Sequence, residues 1–382
     1  MFERFKRRRS SNTSPAIDWT GILIELTDIR KAYQTPAGDF LALKDINLQI
    51  ERGEFVVVQG KSGAGKSTLI NMITGIGQPT AGQIRVGSHA IHNMGEEETA
   101  RWRGVNAGVI FQSFQLMPML TCAQNVMLPM DYCKVYSIPE RPKRAMELLA
   151  MVGLEDQAHK LPTMVSSGQQ QSAAIARSLA TDPDIILADE PTGNLDSRSA
   201  ETVLNLFEKL AASGKTVMIV THDPSITQRT DQTVILSDGE IIDQTIARVL
   251  PLLSHPQMLA ATHQAKRQDF PALKTIISQG EAVDHFYMIV KGQVDVVVSS
   301  DNCGEMSLAC LGPGQFFGEV ELTHEQNSIA SVRASKYGSE LAVIPKDEFF
   351  NLIDGSPLTR AALTDIADTR VGENKRKRVK DC

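Results

Sequence analysis

The residues with the most specific chemistry lie between positions 56 and 68, in the segment VVVQGKSGAGKST. Three valines predict a strand buried on both faces, and the glycines after them let successive backbone N–H groups curl around a phosphate. Lys66 reaches the terminal phosphates, and Ser67 supplies a Mg²⁺ ligand at the start of an apolar helix. This pattern is a P-loop. We therefore expect the following residues to bind a nucleotide triphosphate: Gly60, Lys61, Ser62, Gly63, Ala64, Gly65, Lys66, Ser67 and Thr68.

Two adjacent carboxylates, Asp189 and Glu190, follow a second apolar run at residues 185–188. The run predicts a buried strand, and consecutive side chains of a strand point to opposite faces. One carboxylate can therefore bind Mg²⁺ through water while the other polarises a nucleophilic water. Isolated carboxylates at such a position more often cap a helix. The P-loop upstream favours the functional interpretation.

Three other residues lie where predicted strands end or break. Gln112 follows an apolar strand and is positioned to reach Mg²⁺ or the attacking water, although a lone glutamine there is usually a polar strand end. His222 follows the apolar run at residues 216–221, at the sheet edge where phosphates bind, although a lone histidine is usually structural. Tyr33 lies in the break between two amphipathic strands and either stacks on a purine or is a half-buried turn residue.

Two segments have helical patterns. Residues 122–163 carry Met, Leu and Ala at helical spacing, interrupted by Pro139 and Pro142, and predict a helical subdomain whose methionines fill the core or dock a partner. Ser166 is well placed as the N-cap of a helix that follows it in the segment at residues 165–180. The exposed N–H groups at that helix start can bind a second phosphate, supplied from outside the domain.

Length and composition limit the class of protein. A chain of 382 residues is long enough for two domains and a linker. The net charge of -6 argues against a protein that coats nucleic acid, and we expect no nucleic-acid partner. No apolar run is long enough to cross a bilayer, and the N-terminus lacks a hydrophobic secretory segment, which favours a cytoplasmic protein. The five cysteines are scattered, without CxxC spacing, so nucleotide-bound Mg²⁺ is the metal that we expect.

Taken together, these residues resemble the nucleotide-binding subunit of ABC transporters over residues 22–245. The resemblance rests on the following segments, which occur in this order: Walker A at 60–67, the Q-loop at Gln112, a signature at 165–169, Walker B at 185–189, Glu190, the D-loop at 194–196 and His222. The segments FQSFQLMPMLT, GQQQ and ADEPTGNLD are most similar to ATPases that drive permeases of the lipoprotein-release and macrolide-exporter type. The resemblance implies an α/β P-loop NTPase fold with antiparallel β and helical subdomains.

The resemblance also implies a mechanism, in which two copies sandwich two ATP molecules between the P-loop of one and the signature of the other. Glu190 would be the general base, Lys66 the clamp on the γ-phosphate and Tyr33 the ring that stacks on adenine. The remaining implied roles are nucleotide contacts for Ser166, Ser167, Gly168, Gln169 and Asp196, catalysis for Gln112 and His222, and Mg²⁺ ligation for Ser67, Gln112 and Asp189. Such enzymes act mainly by electrostatics and alignment.

The signature departs from the family pattern LSGGQ. Val165 replaces leucine, Ser167 replaces the first glycine, and Ser172 stands where an arginine is usual. The side chain of Ser167 either crowds the γ-phosphate or adds a hydroxyl donor. We expect hydrolysis to be retained, and to be slow if crowding prevails. The alternatives are a non-hydrolysing, ATP-dependent dimerisation switch and a soluble ABC ATPase that is not linked to transport.

The last third of the chain has short strands with glycine turns, which predict a small β-roll flanked by helices at residues 256–266 and 346–353. It resembles the cyclic nucleotide-binding domain at these residues: Gly280, Tyr287, Gly292, Gly312, Gly314, Phe317, Gly318 and Glu319. In binding members, a glutamate matching Glu319 holds the ribose hydroxyl and an arginine holds the cyclic phosphate. Here Ser328 occupies the arginine position, followed by Ile329. Loss of that cation predicts a degenerate domain with a docking, dimerisation or regulatory role.

These patterns divide the chain into five predicted parts: a disordered basic tail at 1–20, an ABC ATP-binding domain at 21–245, a helical linker at 246–270, a cyclic nucleotide-binding-like β-roll at 271–358, and a C-terminal helix and basic tail at 359–382. The two basic tails either contact anionic lipid or remain solvated. The expected partners are a second copy of the chain and a separate integral membrane permease. The protein would then lie on the cytoplasmic face of the cell membrane, as a peripheral subunit.

Overall fold

A computed structural model of the protein describes residues 21–36, 38–193, 195–300 and 304–380. The chain forms two compact units, Met1–Ile241 and Ile242–Cys382. The predicted N-terminal tail and Asn194 of the predicted D-loop lie outside the described residues.

Unit 1 is an α/β structure with two sheets. Its strands, the last of which extends one residue into unit 2, are β1 Ile22–Thr35, β2 Gly38–Glu51, β3 Phe55–Gln59, β4 Ala81–Val86, β5 His89–Ala90, β6 Ala107–Ile110, β7 Ile185–Asp189, β8 Thr216–Thr221, β9 Gln232–Ser237 and β10 Glu240–Ile242. Its helices are α1 Lys66–Ile73, α2 Glu96–Asn106, α3 Cys122–Cys133, α4 Glu140–Met151, α5 Ser167–Ser178 and α6 Ser197–Ala212. Short 3₁₀ helices span Ile91–Asn93, Glu155–Gln157, Pro162–Met164 and Pro224–Arg229.

One sheet of unit 1 brings the predicted chemistry to a single edge. Its strand order is β10-β9-β3-β8-β7-β6, and β3 runs parallel to both β8 and β9. Strands β6, β7 and β8 are likewise parallel to their neighbours. The carboxyl ends of these strands therefore lie together, which is where an open parallel sheet binds its ligands.

The second sheet of unit 1 is antiparallel, in the order β2-β1-β4-β5. Strand β1 continues to Thr35, so Tyr33, expected in a break, lies within the strand and pairs with Phe40 of β2. The break is shorter than expected because the two strands extend this pairing to Thr35 and Gly38, beyond the last buried residues of β1.

Alternate residues of the parallel strands enter two apolar cores. Val57 and Ile219 pack with residues of α3, α4, α5 and α6. Val56 and Val220 point to the opposite face and pack with α1 and the antiparallel sheet. This alternation explains why the strand sequences are continuously apolar, since both faces are covered.

The region at residues 122–163 is helical, as expected. Pro142, expected to interrupt it, lies instead in the first turn of α4, where its missing N–H would have no helical partner. Pro129 lies inside α3. The buried Asn125 holds the preceding turn, since its side-chain amide accepts from the Met117 N–H at 2.7 Å and donates to the carbonyl of Leu120 at 2.9 Å.

Unit 2 has a series of strands that is preceded and followed by helices along the chain. Its elements are α7 Gln244–Val249, α8 His255–Gln264, β11 Lys266–Phe270, β12 Thr275–Ile277, β13 His285–Ser300, β14 Gly304–Leu311, β15 Phe316–Phe317, α9 Glu319–His324, β16 Ser331–Pro345, α10 Lys346–Asp354 and α11 Pro357–Lys380. The sheet order is β11-β16-β13-β14, with β12 paired to β16 and β15 paired to β13.

Two segments of unit 2 differ from the sequence expectation. Strand β11 lies in the segment assigned to the helical linker, yet it pairs with β16 along its whole length. Its side chains are largely exposed, so it has no alternating apolar signal. Helix α11 continues to Lys380, into the segment expected as a basic tail after the C-terminal helix, and its lysines and arginines are good helix formers.

Candidate nucleotide-binding site

The loop between β3 and α1 lies at the carboxyl edge of the parallel sheet. Gly65 has a φ of 101°, and a Cβ there would lie 2.6 Å from the carbonyl oxygen of Ala42. A Cβ on Gly60 would lie 2.4 Å from the carbonyl oxygen of Leu236. Both positions require glycine because the neighbouring backbone approaches so closely. No side chain caps the first turn of α1, so its N–H groups remain for a ligand.

Lys66 is the first residue of α1 and is buried, with 9% of its surface exposed. Its Nζ donates hydrogen bonds to the carbonyl oxygens of Gly60 at 2.8 Å and Lys61 at 3.1 Å. The ammonium is therefore held at the P-loop, where it can bind an anion that enters the loop.

Ser67 and Asp189 place two oxygen ligands beside the P-loop, because β7 ends next to the start of α1. The Ser67 hydroxyl hydrogen bonds to the Asp189 carboxylate. Burial raises the pKa of Asp189. The negative charge of Glu190 raises it further, while the Ser67 hydroxyl and the Lys66 ammonium lower it. A hydroxyl and a carboxylate are hard oxygen donors of the kind that Mg²⁺ prefers, so these residues fit the expected ion.

Glu190 leaves β7 in a left-handed backbone conformation, with a φ of 47°. Its N–H donates to the carbonyl of Val220 in β8 at 2.8 Å. Its carboxylate accepts a hydrogen bond from the Thr221 hydroxyl at 3.1 Å and lies 2.9 Å from Nδ1 of His222. The His222 side chain is 73% exposed, whereas that of Glu190 is 13% exposed. The carboxylate is thus fixed by β8 while the imidazole remains accessible.

Two aromatic rings line the same cleft from the antiparallel sheet. Tyr33 of β1 and Phe40 of β2 are register partners, and both are exposed. The Lys31 ammonium lies 5.0 Å from the Tyr33 ring centroid. Sequence reasoning singled out Tyr33 and missed Phe40, because only the strand register places the two side by side. Exposed aromatic rings are suited to stacking on a planar base.

The cleft has a volume of about 740 Å³ and combines most of the predicted residues. It is lined by Tyr33, Phe40, Ala42, Lys61, Ser62, Gly63, Gly65, Lys66, Ser67, Thr68, Gln112, Asp189, Glu190, Gly193 and His222. Two predicted P-loop residues, Gly60 and Ala64, do not line it. They are buried behind the loop, where they set its conformation.

The segment after β6 forms a second opening, a groove of about 590 Å³ that shares Gln112 with the nucleotide cleft. Arg177 of α5 holds this segment by donating to the carbonyl oxygens of Phe114 at 3.0 Å and Gln115 at 2.5 Å. Burial lowers the pKa of Arg177. The sequence pattern gave no sign of this link, because Arg177 lies more than sixty residues after its partners.

The predicted signature residues lie elsewhere on unit 1. Ser166 caps α5: its hydroxyl accepts from the Gln169 N–H at 3.3 Å, and the Gln169 side chain accepts from the Ser166 N–H at 3.0 Å. Ser167 is exposed at the first position of the helix. These residues line a cleft of about 550 Å³, together with Gly168, Ser172, Asp196 and residues of α4 and α6.

Asp196 stabilises the start of helix α6. Its carboxylate caps α6 by accepting from the N–H groups of Arg198 and Ser199, both at 3.1 Å, and from the Ser199 hydroxyl at 2.6 Å. The Ser199 hydroxyl and these N–H groups lower the pKa of Asp196. Asp196 lines the signature cleft and does not line the cleft that contains Lys66.

In unit 2, Ser328 is buried and its hydroxyl hydrogen is directed at acceptors within the unit. It donates to the Glu321 carboxylate at 2.9 Å and lies 2.7 Å from the carbonyl of Ala330. Glu319 is 1% exposed and pairs at 2.6 Å with Arg370 of α11. Glu319, the predicted ribose-binding carboxylate, and Ser328, at the position of the missing arginine, therefore both contact other residues of the same unit.

Comparisons with known proteins decide the family. A family profile described as ABC transporter matches residues 43–193, and one described as cyclic nucleotide-binding domain matches residues 267–356. An uncharacterized ABC transporter ATP-binding protein of Bacillus subtilis, YvrO, is 43% identical over 220 residues, which are 58% of this chain and 96% of the relative. The chain belongs to the ABC transporter ATP-binding proteins. Proteins of this family bind ATP, generally with Mg²⁺, and hydrolyse it.

The family assignment confirms the predicted resemblance and fold class. The macrolide export ATP-binding/permease protein MacB of Rhodopseudomonas palustris is 40% identical over 260 residues, 68% of this chain and 39% of that protein. The dimeric structure of the ATP-binding cassette MJ0796 bound to ADP and Pi covers 58% of this chain and 97% of the cassette, with 40% identity and a TM-score of 0.56. In the part of the chain that the structure describes, no helix is long and apolar enough to cross a membrane.

Proposed function

We propose that this ABC ATP-binding subunit binds and hydrolyses ATP between two copies of itself and drives a separate membrane permease. One observation carries the proposal: the P-loop, the Mg²⁺ ligands and Glu190 line one cleft, while the signature residues line another cleft of the same unit. A nucleotide in the first cleft can meet a signature only if a second copy presents it. The dimeric cassette of the related MJ0796 supports this arrangement.

Nucleotide binding would use the residues of the 740 Å³ cleft. Lys66 and the loop amides hold the phosphates, and Tyr33 and Phe40 flank the base. Ser67, Asp189 and Gln112 would hold Mg²⁺, and the ion would supply positive charge that offsets the charge of the phosphates. The raised pKa of Asp189 reflects a burial cost that a divalent cation would offset.

Hydrolysis would depend on Glu190 as the proton acceptor for the attacking water. Its left-handed backbone and the bond from Thr221 direct the carboxylate into the cleft. His222 lies 2.9 Å from that carboxylate and is exposed enough to reach a γ-phosphate. Positioning and electrostatic stabilisation supply most of the catalysis in such enzymes.

The first test measures phosphate release by the wild type and by Glu190→Gln. We expect the variant to lose roughly 100-fold or more in turnover, since a positioned general base contributes about 10²–10⁴. Glu98→Gln, at an exposed glutamate of α2 that lines neither the nucleotide cleft nor the signature cleft, serves as the matched control and keeps the wild-type rate. Equal rates for the wild type and Glu190→Gln would remove Glu190 from the proposed role.

The second test measures ATP-dependent pairing. Light scattering on Glu190→Gln should show a dimer with ATP and Mg²⁺ and a monomer without nucleotide, because the uncleaved nucleotide bridges the two copies. Adding Lys66→Ala removes the buried ammonium from the P-loop and should abolish the pairing. A monomer at saturating ATP would contradict the sandwich arrangement.

The altered signature favours a second candidate function, an ATP-dependent dimerisation switch without hydrolysis. Ser167 is exposed at the start of α5, where a partner's γ-phosphate would lie. Restoring the family residue with Ser167→Gly separates the candidates. A rise in turnover shows that Ser167 crowds the phosphate, and a fall shows that its hydroxyl assists. ATP-dependent pairing without any turnover by the wild type would establish the switch.

The proposed permease contact is the 590 Å³ groove beside Gln112. Three methionines around it are exposed: Met117 by 49%, Met119 by 91% and Met164 by 65%. Adaptable methionines on an open surface suit an apolar partner segment. A permease partner would place the chain at the cytoplasmic face of the membrane. The two basic tails were expected either to contact anionic lipid or to remain solvated, and they contribute no described side chains to this proposal.

Copurification tests the permease contact. A tagged chain recovered from detergent-solubilised membranes should bring a polytopic membrane protein with it, and Met119→Glu should lose that protein. Tyr337→Glu, at an 85% exposed residue of unit 2, is the matched control. Recovery with DNA or RNA and without a membrane protein would favour the soluble ABC ATPase instead.

We further propose that the cyclic nucleotide-binding domain is degenerate. Ser328 supplies no cation for a phosphate, and its hydroxyl already bonds to Glu321. Charge-assisted bonds to a phosphate are worth about 1.5–3 kcal/mol each, so losing the arginine weakens binding severely. Calorimetry with cyclic AMP and cyclic GMP should show no binding at micromolar concentrations. Micromolar binding of either would overturn the proposal.

A further inference from the structure

Helix α11 inserts one arginine into the pocket region of the β-roll. Nη1 of Arg370 donates hydrogen bonds to Oε1 of Glu319 at 2.6 Å and to the carbonyl oxygen of Phe316 at 2.8 Å. The guanidinium carbon also lies 4.9 Å from the Phe316 ring centroid. A carboxylate, a carbonyl and an aromatic face are the three kinds of partner that a guanidinium binds well.

The surrounding contacts place the whole helix, as well as the arginine. Leu363 and Ala367 precede Arg370 by seven and three residues on the same helical face, and both are buried. Asp368 follows Ala367 in the helix, and its Oδ1 lies 3.0 Å from Nε2 of His324 at the end of α9. Apolar burial, the Arg370–Glu319 ion pair and the contact between His324 and Asp368 therefore fix α11 against α9 over about two turns.

Glu319 needs this partner. The residue is 1% exposed, and its Oε2 has no hydrogen-bond partner within the described residues. The neighbouring Glu321 is also acidic and bonds to Ser328, so the immediate surroundings add negative charge. A buried carboxylate left without a cation is strongly destabilising. Arg370 compensates a charge that the pocket residues themselves leave unpaired.

We propose that this pocket has become a guanidinium-binding site whose ligand is Arg370 of the same chain, so that α11 is held on the β-roll without a cyclic nucleotide. The inference rests on the proposed degenerate role of the domain. In this proposal Glu319 binds a guanidinium group, and Phe316 provides the second contact to it. The helix is then a permanently docked element of unit 2.

Hydrogen exchange of the full chain tests the proposal, with Arg370→Ala as the main variant. Amides of α11 from 363 to 370 should exchange on the order of a hundredfold faster, since a buried ion pair is broken. Arg360→Ala is the matched control, because Arg360 lies on the same helix and pairs with Asp354 at the surface. The control should exchange like the wild type.

Chemical rescue separates a ligand site from ordinary helix packing. Millimolar methylguanidinium added to Arg370→Ala should restore part of the protection of α11, whereas methylammonium at equal ionic strength should not. Glu319→Gln should lose protection and show no rescue. Unchanged exchange in Arg370→Ala, or loss of protection without selective rescue, would overturn the proposal.

The same measurement distinguishes the two proposals about unit 2. Cyclic AMP or cyclic GMP protecting α11 in the wild type would overturn both the degenerate role and the internal ligand. Cyclic nucleotide that binds without changing the exchange of α11 would overturn the degenerate role alone. Protection by methylguanidinium in Arg370→Ala, with no effect of cyclic nucleotide, would support both.

Discussion

At the scale of single residues, the candidate active site depends on how the Glu190 carboxylate is oriented. A glutamate with a φ of 47° is uncommon, and such conformations concentrate at functional sites. The Thr221 hydroxyl accepts from the Asp223 N–H at 3.1 Å, so its own hydrogen is directed to Glu190. We expect this buried hydroxyl, which the sequence pattern did not reveal, to position the Glu190 carboxylate.

Thr221→Val tests that positioning role. We expect turnover to fall by about tenfold to a hundredfold with little change in the KM for ATP, because alignment of the base is lost while the P-loop is intact. Thr221→Ser keeps the hydroxyl and should retain most of the rate. Steady-state phosphate release measures both variants, and full activity of Thr221→Val would exclude the role.

At the scale of secondary-structure elements, two polar side chains hold the segment after β6 against helices α3 and α5. Arg177 connects the signature helix α5 to the segment after β6. Asn125 of α3 holds the next turn of that segment. The segment beside the nucleotide cleft is thus held by helices α3 and α5.

Arg177→Met should loosen this segment. The apolar side chain fills similar space, but the carbonyls of Phe114 and Gln115 lose their donor, so residues 112–119 should exchange hydrogen faster. ATP affinity should be nearly unchanged while turnover falls severalfold. Arg101→Met, at an exposed arginine of α2, provides the control. Unaltered exchange at 112–119 would show that the link is not needed.

The contact between α11 and α9 should make the free energy of unfolding depend on pH. Burial raises the pKa of Glu319 above its ordinary value of 4.5, Glu321 adds slightly to the rise, and Arg370 opposes it. The Glu319 carboxyl therefore keeps its proton to a higher pH in the folded state than in the unfolded state. The free energy of unfolding consequently falls as the pH rises above 4.5.

Removing the cation should enlarge that effect. In Arg370→Ala the pKa of Glu319 rises further, so the unfolding free energy should fall further than in the wild type as the pH rises above 4.5. Glu319→Gln should show a smaller slope, and it retains His324 and Asp368, which isolates the contribution of Glu319. Equal slopes in all three proteins would contradict the assignment, and denaturant titrations supply the measurement.

At the scale of the whole molecule, the chain combines an ATP-binding unit with a unit of the cyclic nucleotide-binding family. Each has its own apolar core. The expected ligand site lies entirely within the first unit, and the second has its pocket carboxylate already paired.

ATP should therefore protect the two units differently. Hydrogen exchange of Glu190→Gln with saturating ATP and Mg²⁺ should slow at residues 60–68 and 166–169, where the P-loop and signature bind nucleotide. Residues of β13 and β16 should be unaffected by nucleotide binding itself. Direct protection of β13 by monomeric, ATP-bound protein would place a nucleotide site in the second unit.

Much of the nucleotide cleft was predictable because its signals are local. A P-loop is a contiguous run in which glycines, a lysine and a hydroxyl have fixed spacing. Strands β3, β7, β8 and β9 each end in a polar residue at the same sheet edge. Phe40, Thr221 and Arg177 were missed for the opposite reason. Their partners come from strand register or from helices far away in sequence, and no short pattern encodes such contacts.

The sequence by itself determined the ATP-binding family, the P-loop and its carboxylates, and the loss of the arginine at Ser328, since each depends on residue type and spacing. The tertiary structure decided which cleft each residue lines, and that Glu319 is bound by Arg370. A buried charge must find its counter-ion in space, and fifty-one residues separate these two along the chain.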